Sequence, residues 1–131
     1  MTGVADTRLL LALEFPSREE DGFKVRDFFE KEIAKRLLVP AIVLTEFIEI
    51  AGTEIGADAA KTRIRVLKDR GIRTIAIDEE TAMVAGCLLL SNRNVPIADA
   101  LIASFVKMGV AQYVITDDPH FKSLAVRTKW V

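Results

Sequence analysis

Residues 112–121 read QYVITDDPHF: a short apolar run, a threonine, two adjacent aspartates, a proline, and then His120, the only histidine in the chain. The apolar run predicts a strand, and the polar residues after it favour a turn. Turn chemistry alone accounts for such a sequence, because Asp bonds its own backbone just after a strand and Pro119 presets the next φ angle. A second reading is equally physical. Acids placed directly behind buried parallel strands stand where α/β proteins gather their chemistry. The rest of the chain decides between the two.

Residues 3–6, GVAD, read as another short strand ending in an acid, and TRLLLALEF (7–15) as a helix for which Asp6 or Thr7 is the N-cap. Beyond the charged PSREEDG, residues 23–36 place Phe23, Phe28 or Phe29, and Ile33 at helical spacing. LLVP (37–40) is a second strand, with Pro40 placed to open the helix AIVLTEFIEIAG and Gly52 or Gly56 to close it. A helix over 57–70 ends at Gly71, and RTIAI (73–77) is a third strand rich in β-branched residues. Asp78 then caps the helix EETAMVAGCLLLS, its acidic opening matched to the positive end of the helix dipole. VPIADALIASFVKMG is a further helix, with Pro96 near its first turn and Gly109 at its end; AQYVIT (111–116) is the fourth strand and LAVRTKWV (124–131) a fifth, at an edge. Strands alternating with helices imply an α/β domain with a mostly parallel sheet of about five strands flanked by helices.

With 131 residues, half of them hydrophobic, the chain is expected to form one domain over 1–131. The 18 basic and 19 acidic residues leave a net charge of −1, which excludes a global positive field for duplex binding. Any nucleic-acid contact must be local. Lys61, Arg65 and Lys68 share one helix face, the usual mark of a solvated surface, and receive no role. Cys87 is alone, lies in the apolar run MVAGCLLL and reads as core. One His and one Cys rule out a structural zinc site of the usual kind, so a bound metal must be held by oxygen. The opening MTGVADTRLLLALEF has no basic segment before its apolar run and carries Asp6, Arg8 and Glu14, unlike a signal peptide or a membrane span. A soluble cytoplasmic protein is the expectation.

Two further acids resist a bland explanation. On its helix Glu46 shares a face with Ile42, Val43 and Ile50, beside the apolar stripe rather than opposite it. Asp99 has Ile102 and Ala103 three and four residues on, although its first-turn position also suits the helix dipole. Each alone reads equally as a snorkelling surface residue or a site residue. Gathered together they would not be neutral: at about 5 Å and an effective dielectric near 20, each like-charged pair costs about 3 kcal/mol. Either such acids share protons or a divalent cation neutralises them, and all-oxygen ligands favour Mg²⁺ or Mn²⁺. Phosphoryl transfer is the chemistry that uses such a centre.

The chain resembles PIN domains, and most closely the small ribonucleases of the VapC toxin type. The resemblance rests on the aspartate in VADT, the helical glutamate in LTEF, the third acid in PIADALIAS and the fourth in ITDDPHF, and it covers nearly the whole chain. It implies a three-layer PIN-like fold with metal-binding, catalytic acids at Asp6, Glu46, Asp99 and Asp118. Asp118 fits the family's spacing of threonine, any residue, aspartate, two residues, phenylalanine, with Thr116 and Phe121 in place; Asp117 takes the variable position and remains a competitor for the fourth acid. Thr116, Asp117 and Thr7 would support the site. Arg8 departs from the family, where Ser or Asn is common; it either contacts a phosphate or faces solvent. The family's catalysis gives His120 no essential part. By resemblance, the expected activity is a Mg²⁺- or Mn²⁺-dependent endoribonuclease that hydrolyses single-stranded RNA in line and leaves a 5′ phosphate. A VapB-type antitoxin and a homodimer are also implied, with the helix at 41–56 as an interface and no membrane partner. The competing expectation is a PIN-like RNA- or protein-binding module without nuclease activity. A phosphoacceptor receiver domain is excluded, because it needs an acid pair at the first strand and a lysine after a late one.

Overall fold

A computed structural model describes residues 1–131. Five strands form one sheet: β1 (Gly3–Ala5), β2 (Leu37–Pro40), β3 (Arg73–Ile75), β4 (Tyr113–Ile115) and β5 (Thr128–Lys129). Their order is β3-β2-β1-β4-β5, and all four pairings are parallel. Every residue of β1, β2 and β4 is buried, which requires cover on both faces of the sheet. Helices supply it: α1 (Thr7–Glu14), α2 (Glu19–Ala34), α3 (Ala41–Ile55), α4 (Ala57–Arg70), α5 (Glu79–Ser91), α6 (Ile97–Lys107) and the single turn α7 (His120–Ser123). Among them α1 packs on α2 and α3, α3 on α4, and α5 on α6. The result is the layered α/β arrangement expected, with the sheet wholly rather than mostly parallel.

The glycine that opens β1 makes room for side chains of β4. A Cβ at Gly3 would lie 2.7 Å from the Tyr113 ring and 2.9 Å from Ile115 Cδ1, so a larger residue would have to displace them. Phe29, Phe47, Phe105 and Phe121 are all essentially inaccessible and fill the space between sheet and helices. Turns fall where glycine permits them: α3 passes to α4 through Gly56 at φ +89°, and α4 ends at Gly71 at φ +128°. Asp78 caps α5 as expected, accepting the Thr81 N–H at 2.9 Å.

Four local expectations are corrected. Helix α2 starts at Glu19, inside the charged stretch PSREEDG, because Glu19, Glu20 and Asp21 suit a helix N-terminus. Its buried stripe is Gly22, Val25, Phe29 and Glu32, and Phe23 is 61% exposed. Cys87 is exposed rather than core. Helix α5 is apolar around most of its circumference; Thr81 and Ala85 are its buried residues, and Met83, Cys87 and Leu90 are left facing outward. Finally, the fifth strand is two residues long, and the short α7 precedes it where the sequence favours a turn.

Glu32 is the buried charge that composition alone does not announce. Tyr113 donates its hydroxyl to Oε1, while Lys129 and Lys35 approach Oε2 at 2.9 and 3.3 Å. Burial pushes this carboxyl upward, but the three donors outweigh it and hold its pKa below the ordinary value. The same burial, with the hydrogen bond to Glu32, lifts the Tyr113 phenol to about 12.

Candidate active site

The strand order reverses between β1 and β4: from β1 the chain runs outward through β2 to β3, then returns to the other side for β4 and β5. A crevice at the carboxyl ends of these two strands is the place where open parallel sheets bind ligands. Asp6 follows β1 and Thr116–Asp118 follow β4, and the Asp6 N–H bonds the Ile115 carbonyl at 3.2 Å across that junction.

Asp6 is the N-cap of α1; its Oδ1 accepts the Thr7 N–H at 2.7 Å. Its Oδ2 accepts the Thr116 hydroxyl at 2.7 Å, and Thr116 Oγ1 in turn accepts the Asp118 N–H at 2.9 Å. One threonine therefore positions two acids. Thr7 does similar work for a third, donating its hydroxyl to Glu46 Oε1 at 2.6 Å. Glu46 is half-buried on α3, between the buried Val43 and Phe47, which explains its ambiguous place beside the apolar stripe.

Asp99 enters from the first turn of α6 and is buried. Its Oδ2 is inaccessible and has no hydrogen-bond partner. His120 Nδ1 lies 3.4 Å from that oxygen without bonding it, and 2.9 Å from Asp118 Oδ1. Ligand atoms of Asp99, Asp118 and His120 all lie within 4.8 Å of one another. Burial, followed by the charges of Asp6 and Asp118, raises the Asp99 carboxyl to about 7; the nearby His120 opposes this and Glu46 adds to it. Asp6 is raised for the same leading reason, burial, with the Thr116 and Thr7 hydrogen bonds working against it and the charges of Glu46 and Asp118 with it.

The structure thus gathers Asp6, Glu46, Asp99 and Asp118 into one electrostatically coupled group, with Thr7 and Thr116 bonded to it. Asp117 is elsewhere engaged: its Oδ1 pairs with Arg8 Nε. His120, given no role from sequence, stands against two of the acids. Its uniqueness in the chain and its position two residues beyond Asp118 were the only available signals. Lys61, Arg65 and Lys68 are exposed, while their neighbour Arg63 is tied to Glu14 at 2.8 Å.

A divalent cation suits this donor set. A buried carboxylate oxygen with no donor is costly to ionise alone, and Asp99 Oδ2 is such an atom. The carboxylate oxygens suit a hard divalent cation such as Mg²⁺ or Mn²⁺, and the His120 imidazole beside them is better matched to Mn²⁺ than to Mg²⁺.

The chain matches the PIN domain family over residues 4–127. The chain belongs to the PIN domain family. Its fold is shared with VapBC from Salmonella typhimurium, solved bound to DNA (TM-score 0.79, 18% identity, 99% of this chain and 98% of that one). It is similarly shared with VapC20 of Mycobacterium tuberculosis, a Sarcin-Ricin loop cleaving toxin (TM-score 0.76, 17% identity, 95% and 96%). VapBC2 from Rickettsia felis, bound to a promoter DNA fragment, superposes at a TM-score of 0.75 with 14% identity over 100% and 99% of the two chains. No protein of curated function matches the sequence. No helix is long and apolar enough to cross a membrane.

Proposed function

We propose that this chain is a VapC-type toxin: an endoribonuclease that hydrolyses phosphodiester bonds of single-stranded RNA with Mg²⁺ or Mn²⁺ held by Asp6, Glu46, Asp99 and Asp118. The observation that carries the reading is the buried, unpartnered Asp99 Oδ2 beside Asp118, inside a group of acids at the switch point of the sheet. A divalent ion, when bound, activates water, neutralises the phosphate and stabilises the leaving oxygen. The chain's own residues do the rest. Thr116 keeps Asp6 and Asp118 in register, Thr7 fixes Glu46, and the apolar flank of α6 keeps bulk water from the Asp99 side, where a low dielectric strengthens every charge interaction.

The relatives of the same fold that were solved as VapBC complexes support a VapB-type antitoxin as partner. A groove of about 890 Å³ opens beside Arg8 and Asp117, and its apolar lining of Leu11, Phe15, Ile50 and Trp130 suits a segment of such a partner. Exposed Met83 and Leu90 on α5, with Ile55 on α3, support a homodimer.

The test is cleavage of a panel of labelled single-stranded RNAs by the wild type and by Asp99→Asn, with Mn²⁺, Mg²⁺ or EDTA. Metal-dependent cleavage lost in the variant is the expected result. Absence of cleavage and of any metal effect on melting across the panel would leave a PIN-like RNA- or protein-binding module as the better description.

A further inference from the structure

We propose that Arg8 is the residue with which this chain grips a phosphate of the RNA flanking the scissile one, and that Asp117 holds its guanidinium ready for that exchange. The inference rests on the nuclease reading of the acid cluster and adds a substrate-positioning residue to it.

Arg8 is the second residue of α1, two positions after Asp6, so its side chain leaves the fold beside the acids. It also lines the mouth of the groove, together with Asp117. Both partners of the Arg8–Asp117 pair are accessible, with side chains 52% and 39% exposed. An exposed pair of this kind adds little to stability, so its presence is poorly explained as a structural brace, and it is easily exchanged for another anion.

The donor inventory points the same way. A guanidinium has five N–H donors in a planar fork. Only Nε is engaged, by Asp117, which leaves the terminal nitrogens without a hydrogen-bond partner in the fold. Those nitrogens form the edge suited to bidentate contact with phosphate. The electrostatics of the crevice make such a residue necessary. Four clustered acids repel a polyanion, and one divalent ion does not cancel their formal charge. Arg8 follows Asp6 by two residues and feels the negative charges of Asp117, Asp118 and Asp6, so its cation stands beside the acid cluster. Three other cations are committed elsewhere, Arg63 to Glu14, Arg70 to Glu30 and Lys129 to Glu32, and the unpaired Lys61, Arg65 and Lys68 stand on α4 rather than beside Asp6. Lys24 lies along the same groove but makes no bond to the acid cluster.

The experiment measures binding of a labelled single-stranded RNA by fluorescence anisotropy, in Ca²⁺, over a range of salt concentrations. The proteins are the wild type, Arg8→Ala, Arg8→Lys, Asp117→Asn and the double variant Arg8→Ala/Asp117→Asn. Arg8→Ala is expected to weaken binding by about tenfold or more and to reduce the slope of log Kd against log salt by about 0.7, one phosphate contact on a single strand. Arg8→Lys keeps the charge without the fork and falls between. Asp117→Asn frees the guanidinium and binds at least as tightly as the wild type. The double variant stays as weak as Arg8→Ala. Wild-type affinity in the double variant would show that Arg8 only neutralises Asp117, and would overturn the proposal. So would a change below twofold in Arg8→Ala, an equal loss in Asp117→Asn, or no RNA binding by the wild type. Cleavage in Mn²⁺ by the wild type is scored in parallel: no cleavage with Arg8-dependent binding removes the nuclease reading and reduces Arg8 to a phosphate contact of an RNA-binding module, whereas cleavage without Arg8-dependent binding overturns this proposal alone.

Discussion

Replacing Asp99 by Asn should make the metal-free protein more stable at alkaline pH. Folded Asp99 keeps its proton up to about pH 7, whereas the ordinary value is 3.8. Between those two values the folded state binds more protons than the unfolded one, so stability falls as pH rises and the full loss is present above pH 7. The gap corresponds to a ceiling of about 4 kcal/mol at about 1.4 kcal/mol per tenfold. The Asp99 side chain is only 11% exposed, so solvent screening reduces this less than it would for a surface acid. For a chain of this size the ceiling corresponds to about 10–15 °C in Tm. Asparagine is isosteric, cannot ionise, and removes one ligand of the proposed metal. In EDTA the variant should therefore melt well above the wild type at pH 8 and by less than half that margin at pH 5. Mn²⁺ should raise the melting temperature of the wild type alone, by mass action on the folded state. The assay is thermal unfolding followed by circular dichroism at both pH values, with EDTA and with Mn²⁺. A variant less stable than the wild type at pH 8 in EDTA would refute the reasoning, because the buried carboxylate would then be a stabilising group.

Thr116→Val removes the donor to Asp6 and the acceptor for the Asp118 N–H; cleavage and Mn²⁺ affinity should each fall about 10- to 100-fold, as read by initial rates and a metal titration. Glu32→Ala leaves the buried Tyr113 hydroxyl without its acceptor, while the half-exposed Lys129 and Lys35 return to water, and should cost about 1–3 kcal/mol in urea unfolding. Glu32→Gln tests the pH linkage: because the folded carboxyl is held below its unfolded value of 4.5, its contribution is present above that pH and lost as pH falls below it. The wild type should therefore lose stability in acid more steeply than the Gln variant. Gly3→Ala should destabilise by about 1–3 kcal/mol, because the new methyl meets the Tyr113 ring and the Ile115 side chain; a variant as stable as the wild type on melting would count against that packing.

Much of this architecture was legible because parallel strands are buried on both faces and appear as short continuous apolar runs. GVA, LLVP and YVI are such runs, and the acids behind two of them marked the switch point before its strand order was visible. The α5 helix was less legible for a related reason. An element that is apolar nearly all round has no periodicity to say which side turns inward, so Cys87 was placed on the wrong face. Glu32 escaped because a buried glutamate at a helical position looks like any surface glutamate; its three donors come from β4, β5 and the turn after α2. Nor could local sequence show that Asp117 would meet Arg8 from 109 positions away and leave Asp118 to face Asp99. Adjacent residues diverge in direction after a strand, and only the tertiary fold assigns them.

The Glu32 anchorage has a kinetic corollary. Strand β5 is two residues long, too short for its ladder alone to hold it, yet the Lys129 carbonyl receives the Thr116 N–H at 3.0 Å, and Thr116 is the hub that orders Asp6 and Asp118. Lys129 is fastened through its ammonium group to a carboxylate that Tyr113 also grips, at the other end of β4 from Thr116. Fraying of that edge would free the backbone beneath the hub, so the lifetime of the assembled acids is tied to how often a half-buried ion pair lets go. Amide exchange at Thr116 should then report on the acid-lined crevice through a contact that lies outside it.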